Sequence, residues 1–397
     1  MRRIVPVGPY HPLQEEPEFF KLIVEGEKVV GLEINIGYNH RGHEFISPKM
    51  TYEQVTFLVE RICGICSNSH PFAYVMAVED CAHIQVPERA LYLRTINHEL
   101  ERIHSHLLWL GLAGHFIGYN TVWMWSWRYR EPVLDLFELI TGNRNHYAMN
   151  KVGGVRHNIS EEQIPIIEKV LLDIETKVNM LTKAVLDDPV LRARLENVGV
   201  LTKKDAIAYG VVGPTARASG VAIDVRKDDP HGAYDRVNWD IIVFEEGDVL
   251  AKAKVRLLEC IESVKIIRQC LAQMPKGEIE TRVSEIPPGE GIGRTEAPRG
   301  EVFHYIRSDG KNSPFRHKIR APSYMNIPSN EVAVKGYSIA DACLILAAVD
   351  PCYCCTERIV AFEDNKMKYS GKDLLQLSLK KTEELKAKYK GRNKLTL

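Results

Sequence analysis

Two Cys-x-x-Cys pairs stand near opposite ends of this sequence. Cys63 and Cys66 lie in Arg61-Ile-Cys-Gly-Ile-Cys-Ser-Asn-Ser-His70, and Cys352 and Cys355 in Asp350-Pro-Cys-Tyr-Cys-Cys-Thr-Glu-Arg358. A Cys-x-x-Cys turn brings two thiols within reach of one metal centre. Two such turns supply four thiolates once a fold joins them. Thiolates are soft ligands that suit zinc, an iron–sulfur cluster, or a nickel or copper ion. A structural zinc ribbon spaces its pairs by about 15–20 residues. Here most of the chain lies between them, which points to a catalytic centre closed by two ends of a large fold. Four inert buried cysteines are the bland alternative, but turn-forming Gly64 and Pro351 stand beside the pairs.

Other residues offer chemistry of a second kind. Glu15 and Glu16 sit in a loop with three prolines, Val7 to Pro17. Such a pair is usually a solvated acidic turn. A carboxylate beside a buried metal is instead tuned to exchange protons near neutral pH. Arg299, in Ala297-Pro-Arg-Gly-Glu301, is either a surface ion-pair partner or a guanidinium aimed at a substrate. His70 is either a packing histidine or a group that tunes a metal-bound sulfur. The remaining cysteines, Cys81, Cys260, Cys270, Cys343 and Cys354, have no partner at ligand spacing and read as structural.

Taken together, Arg61-x-Cys-Gly-x-Cys-x-x-x-His70 and Asp350-Pro-Cys-x-x-Cys-x-x-Arg358 resemble the two nickel-binding signatures of the [NiFe]-hydrogenase large subunit. Arg358, where many members carry histidine, resembles the energy-converting, membrane-bound group. So does Gly8-Pro-x-His-Pro-x-x-Glu-Glu-Pro, whose second glutamate is here Glu16. The resemblance implies that Cys63 and Cys352 are terminal on nickel and that Cys66 and Cys355 bridge nickel and iron. It implies an iron carrying carbon monoxide and cyanide, and reversible formation of dihydrogen from protons. It gives Glu16 a proton-relay role near a nickel-bound cysteine. It sets Arg299 over the open face of the metal pair and His70 on a bridging sulfur.

Gly8-Pro-Tyr-His11-Pro, Asn39-His40-Arg-Gly-His-Glu44, Gly213-Pro-Thr-Ala-Arg217-Ala-Ser-Gly220 and Tyr234-Asp235-Arg236 resemble the quinone-site subunit of respiratory complex I. Most of these residues read as fold maintenance. His11, Arg217 and Asp235 are candidates for a polar proton path or a subunit contact. Complex I lacks the metal cysteines, and all four are present here. The resemblance runs from Val7 to about Lys381. It implies no iron–sulfur cluster in this chain, an iron–sulfur small subunit as electron partner, and ferredoxin behind it. Ion-translocating membrane subunits would hold the protein peripherally on the cytoplasmic side of the cell membrane. Two other functions stay open: a complex I-like coupling subunit without nickel, and a structural zinc site. The resemblance also implies cleavage after Arg358 by a maturation endopeptidase, a late cut that could lock a loaded thiolate site because metal loading and folding are coupled there.

The totals agree with such a role. The chain has 397 residues, enough for a large core, and equal numbers of basic and acidic residues, 52 each. No basic excess marks it for nucleic acid. Nine cysteines, an odd number without the spacing of a small secreted scaffold, fit metal binding in a reducing compartment. The start has no apolar core of a signal peptide. No run reaches about 18 apolar residues, and the nearest, Leu107 to Trp125, is broken by His115 and Asn120.

The elements that must position these residues read as an α+β fold, mainly α. Strands are expected over 3–7 and 20–36, followed by long helices. Thr51-Tyr-Glu-Gln opens one as a capping box, and Ser160-Glu-Glu-Gln163 another. Further helices are expected from Glu88 to about Gly118, Thr121 to Thr141, Asp248 to Met274 and Ile339 to Val349, the last delivering the second cysteine pair. Together the long helices read as a bundle. Pro287 to Gly300 reads as a Gly/Pro-rich loop leading into a small sheet around 299–320. Residues 1–50 form a β-rich segment with an active-site loop. Residues 51–358 form the helical catalytic core. Residues 359–397 form a C-terminal extension ending in a lysine-rich helix.

Overall fold

A computed structural model describes residues 2–11, 14, 16–356, 361–363 and 366–389. Three antiparallel strands open the chain: β1 (Arg2–Val7), β2 (Phe19–Glu25) and β3 (Lys28–Asn35). Their alternating apolar residues, among them Val7, Phe20, Leu22, Val24 and Val29, bury one face of the sheet. That face packs on α7 (Ile339–Ala348), the helix before the second cysteine pair.

Four long helices form a bundle: α3 (Glu88–Phe116), α4 (Asn120–Thr141), α5 (Ile164–Asp187) and α6 (Val249–Gln273). α5 is amphipathic in the ordinary way, burying Ile167, Leu171, Ile174, Val178, Leu181 and Val185 at helical spacing. α3 differs. It spans about 44 Å at 1.5 Å per residue and is buried nearly all round, polar residues included. Arg94, Asn97, His98, Glu99, Glu101, Arg102, His104, Ser105 and His106 are all among its buried residues. A helix like this survives because its polar side chains find partners on neighbouring elements, as Arg94 does on Glu79 and Arg102 on Glu259.

The capping box at Thr51 forms as the sequence indicates and starts α1 (Tyr52–Glu60). The one at Ser160 forms only in part. The Ser160 amide donates to the Gln163 side chain, but α5 begins later, with Gln163 at its cap and Pro165 in its first turn.

The stretch from Pro287 to Gly300 is not a loop. It forms β4 (Gly289–Ala297), paired antiparallel with β5 (Gly300–Ser308), which pairs with β6 (Arg316–Arg320). The glycines that suggest a loop are spaced by two, so they share one face of the strand. That face lies directly on α2 (Ser69–Ala82). A Cβ at Gly291 would come within 2.0 Å of the Ala77 carbonyl, and one at Gly293 within 1.9 Å of the Ala73 carbonyl. Glycine is therefore required by close approach of strand to helix, and the strand hands the chain on to Arg299. No helix among the described residues is long and apolar enough to cross a membrane.

Candidate metal centre

The first cysteine turn bridges two helices. α1 ends at Glu60, with Arg61 as its cap, and α2 starts at Ser69. The open amides at the start of α2 are taken by the Glu101 carboxylate of α3. It accepts from the Asn68 amide, from the Ser69 amide at 3.0 Å and from the Ser69 hydroxyl. A carboxylate there also suits the helix dipole. Burial nevertheless pushes the Glu101 carboxyl up to about 8, against the pull of those donors. Within the turn, the amides of Ile65 and Cys66 each donate to Cys63 Sγ at 3.3 Å.

The second turn leaves α7 through Asp350, whose φ of 55° lies in the left-handed region that Asp tolerates better than most side chains. Pro351 follows, and the Cys352 amide donates to Ser323 Oγ at 2.9 Å. A single helical turn, Tyr353–Cys355, then brings the Cys355 amide onto the Cys352 carbonyl at 3.2 Å.

These turns meet. Cys63 Sγ lies 3.1 Å from Cys352 Sγ, Cys352 Sγ 3.0 Å from Cys355 Sγ, and Cys66 Sγ 4.0 Å from Cys355 Sγ. The four sulfurs all lie within 4.8 Å of one another, and all four residues are buried. A tetrahedral ion with metal–sulfur bonds of about 2.3 Å would set its sulfurs about 3.8 Å apart, so the donor set fits a compact thiolate-bound centre. Without one, the thiols compete for charge. Hydrogen bonds from Cys352, Cys355 and Cys66 pull the Cys63 thiol down, while hydrogen bonding to the other thiols pushes Cys352 up.

Arg299 is buried beside them. Its Nη2 pairs with Asp350 Oδ1 at 2.8 Å, Nε donates to the Asp350 carbonyl at 2.9 Å, and Nη1 reaches Ser105 Oγ at 3.4 Å. Burial works against its charge, but Asp350 and the sulfurs of Cys352, Cys63 and Cys66 overcome it and raise its pKa. Gly213 lets the 213–217 segment pass beneath this arginine. With φ of 69°, it sits where a Cβ would fall 2.4 Å from the Arg299 carbonyl.

His70 Nε2 lies 3.6 Å from Cys355 Sγ. Behind it runs a file of buried rings that sequence reasoning missed. His70 Nδ1 lies 3.0 Å from His304 Nε2, His304 Nδ1 2.9 Å from His317 Nε2, and His317 Nδ1 2.8 Å from Ser47 Oγ. Burial lowers the pKa of His304 and His317, with further lowering from neighbouring imidazoles. His304 and His317 occupy separate strands, so only the pairing of β5 with β6 aligns them. An alternation signal around Glu301–Arg307 identifies the strand, not its partner.

Glu16 accepts a hydrogen bond from the Cys354 amide at 2.6 Å, inside the second turn. Burial, then the charge of Cys63, raises its carboxyl above the ordinary range. Glu15 and Arg358, with any cleavage there, lie outside the described residues. Cys260 and Cys270 are buried on α6, and Cys81 is buried on α2. The group of four is the one potential metal-ligand cluster among the described residues. Arg217 lies in a buried ion network with Glu259, Glu296 and Asp224. Asp235 stays at the surface, 3.8 Å from Arg236. Its neighbour Tyr234 is the residue that enters the interior, with its hydroxyl on Glu99 and on His98 Nδ1. His11 sits in the half-buried loop after β1.

Comparison with known proteins places this geometry. The profile of the respiratory-chain NADH dehydrogenase 49 Kd subunit matches residues 117–286 and 279–358, and that of nickel-dependent hydrogenase matches residues 41–112. The chain is 42% identical to the membrane-bound hydrogenase subunit alpha of Pyrococcus furiosus, over 98% of this chain and 95% of that one. It is 39% identical to the carbon monoxide-induced hydrogenase of Rhodospirillum rubrum, over 89% of this chain and 99% of that one. Among solved structures, a chain of the membrane-bound sulfane sulfur reductase, an archaeal respiratory membrane complex, matches with a TM-score of 0.86 and 32% identity. That match covers 90% of this chain and 98% of the other.

Proposed function

The chain belongs to the family that joins membrane-bound [NiFe]-hydrogenase large subunits with the 49-kDa subunit of respiratory complex I, and we propose that it is the catalytic large subunit of an energy-converting [NiFe] hydrogenase. The observation that carries this is the convergence of all four sulfurs, from both ends of the chain, on one buried point. Cys63, Cys66, Cys352 and Cys355 would hold nickel and an iron with carbon monoxide and cyanide ligands. When bound, that centre supplies the exchange of two electrons and two protons with dihydrogen.

The chain's own residues supply charge and proton handling. Glu16, whose carboxyl burial and the charge of Cys63 raise above the ordinary range, exchanges a proton beside the second cysteine turn. Arg299, fixed by Asp350, keeps one positive charge against the thiolates and closes that side of the pocket to water. His70, His304 and His317 stand in hydrogen-bond contact, and burial keeps the last two from charging easily, so a proton taken up at one end of the file can leave at the other by tautomer exchange. This file offers a second proton route, ending at Ser47.

Electrons enter through an iron–sulfur small subunit, with ferredoxin as donor, and membrane subunits couple the reaction to ion movement at the cytoplasmic face. Removal of residues 359–397 after Arg358 completes the site. Mass spectrometry of the active complex tests that step: a chain ending at Arg358 is expected, and an intact chain in active enzyme rules the cut out.

Purified anaerobically, the complex is expected to hold one nickel per chain and to give infrared bands of metal-bound carbon monoxide and cyanide. Absence of nickel and of those bands would overturn the proposal. It would favour the second reading, a coupling subunit without nickel, in line with the match to the 49 Kd subunit of respiratory-chain NADH dehydrogenase. Zinc without nickel would mark a structural site.

A further inference from the structure

Arg41 lies in the polar loop after β3 and has no role in the chemistry above. Its guanidinium donates from Nη1 to the Arg61 carbonyl at 2.6 Å and from Nη2 to the Ile62 carbonyl at 2.6 Å. Nη2 also reaches the Cys354 carbonyl at 3.0 Å, and Nε holds the loop itself through the Asn39 carbonyl at 3.2 Å. The Arg61 carbonyl is that of the residue capping the C-terminus of α1, and the Ile62 carbonyl follows it, immediately before Cys63. The Cys354 carbonyl lies between the ligand positions of the second turn. One side chain therefore joins the two cysteine turns.

The chemistry of the group suits the task. A helix C-terminus presents unpaired carbonyls and a partial negative charge, which a cation satisfies. A guanidinium carries its donors in a rigid fork, so it can serve carbonyls from two segments at once; a lysine ammonium is a point charge on a flexible stem. The Cys354 peptide is gripped from both sides, with its carbonyl on Arg41 and its amide on Glu16. Cys354 is off the ligand spacing, and its contribution here is made by its backbone.

We propose that Arg41 is a positioning residue, a clasp that holds the two cysteine turns closed on each other and so governs retention and geometry of the metal centre. This rests on the reading that the four sulfurs hold nickel. The test uses the whole complex, purified anaerobically with Arg41→Ala or Arg41→Lys in the full chain. Nickel release to a chelator and the carbon monoxide and cyanide infrared bands are recorded. Lost hydrogen bonds from a charged donor are expected to speed nickel release about tenfold or more in both variants. The infrared bands are expected to shift. Arg41 is exposed at the surface, so added guanidinium at sub-denaturing concentration should slow release from Arg41→Ala and return its bands towards wild type. A role in folding alone would not respond to added guanidinium in this way. Should Arg41→Ala not assemble, Arg41→Lys carries the test. Nickel release and infrared bands in that variant indistinguishable from wild type would overturn the clasp and leave the hydrogenase reading standing. A wild-type complex without nickel would overturn both.

Discussion

Two polar regions are buried against α3, and they are built on opposite principles. In the first, Glu259 receives Arg102, Arg217 Nε at 2.8 Å and His106 Nε2 at 3.0 Å. Arg217 Nη1 reaches Glu296 at 2.7 Å and Asp224 at 3.3 Å. Arg226 joins Asp224 at 2.7 Å to Glu99 at 3.0 Å. Charged side chains meet opposite charges, with backbone groups completing the set, as where Arg102 Nη1 donates to the Glu296 carbonyl at 3.1 Å. Although burial works against it, the guanidiniums of Arg226 and Arg217 hold the Asp224 carboxyl down to about 2. In the second region, four thiols face one another with Arg299 as the buried cation beside them, and Cys352 is pushed up because its neighbours are thiols as well. A closed lattice of matched charge locks elements together. Four soft donors converging on one point are instead the arrangement a thiolate-bound metal ion requires. The contrast distinguishes a structural network from a site.

The difference can be attacked by mutation. Cys352→Ser should have the largest functional effect: nickel falls to background and hydrogen evolution is lost, while the complex still assembles. Retained activity would break the comparison at its centre. Glu259→Gln should do the reverse, leaving Arg102 and Arg217 short of a counter-charge in the interior. Breaking a buried pair in this way costs about 3–5 kcal/mol, read as loss of assembly or a large drop in melting temperature. A mild Glu259→Gln would mean that the lattice is not a lock.

Glu16→Gln should sharpen the contrast, because it removes a proton carrier without removing a ligand. Turnover is expected to fall by about 10²–10⁴, with nickel content unchanged and melting close to wild type. A normal rate would remove Glu16 from the proton path.

The smallest effect concerns Glu18. Its side chain is fully buried near Glu16, and burial raises its carboxyl to about 8. Because the folded value lies above the unfolded one, the folded state binds more protons between them. The stabilisation is complete below the ordinary carboxyl range and is lost as pH rises through about 8. Glu18→Gln should flatten the decline of melting temperature over that window. An unchanged slope would show that Glu18 ionises freely.

Much of the fold was legible from local pattern. The capping box at Thr51, the apolar stripe of α5 and the alternation in β2 each act within a few residues, so their outcome is written in neighbouring letters. The strand β4 was hidden because its glycines resemble a loop until α2 is known to lie against them. Arg41 and the two histidines behind His70 were hidden for a related reason. An arginine that satisfies carbonyls leaves no sequence signature, and His304 and His317 meet only through strand register.

The sequence by itself determined that two pairs of thiols exist, each at the spacing of a single turn, since that spacing is a local property of four residues. It also determined the helices and strands that carry them. Tertiary structure alone decided that sulfurs 289 residues apart stand 3.1 Å from each other. It alone set Arg299, Asp350, Glu16 and the imidazole file around them. Distances of that kind arise from packing whole elements together, and no local rule of backbone geometry encodes them.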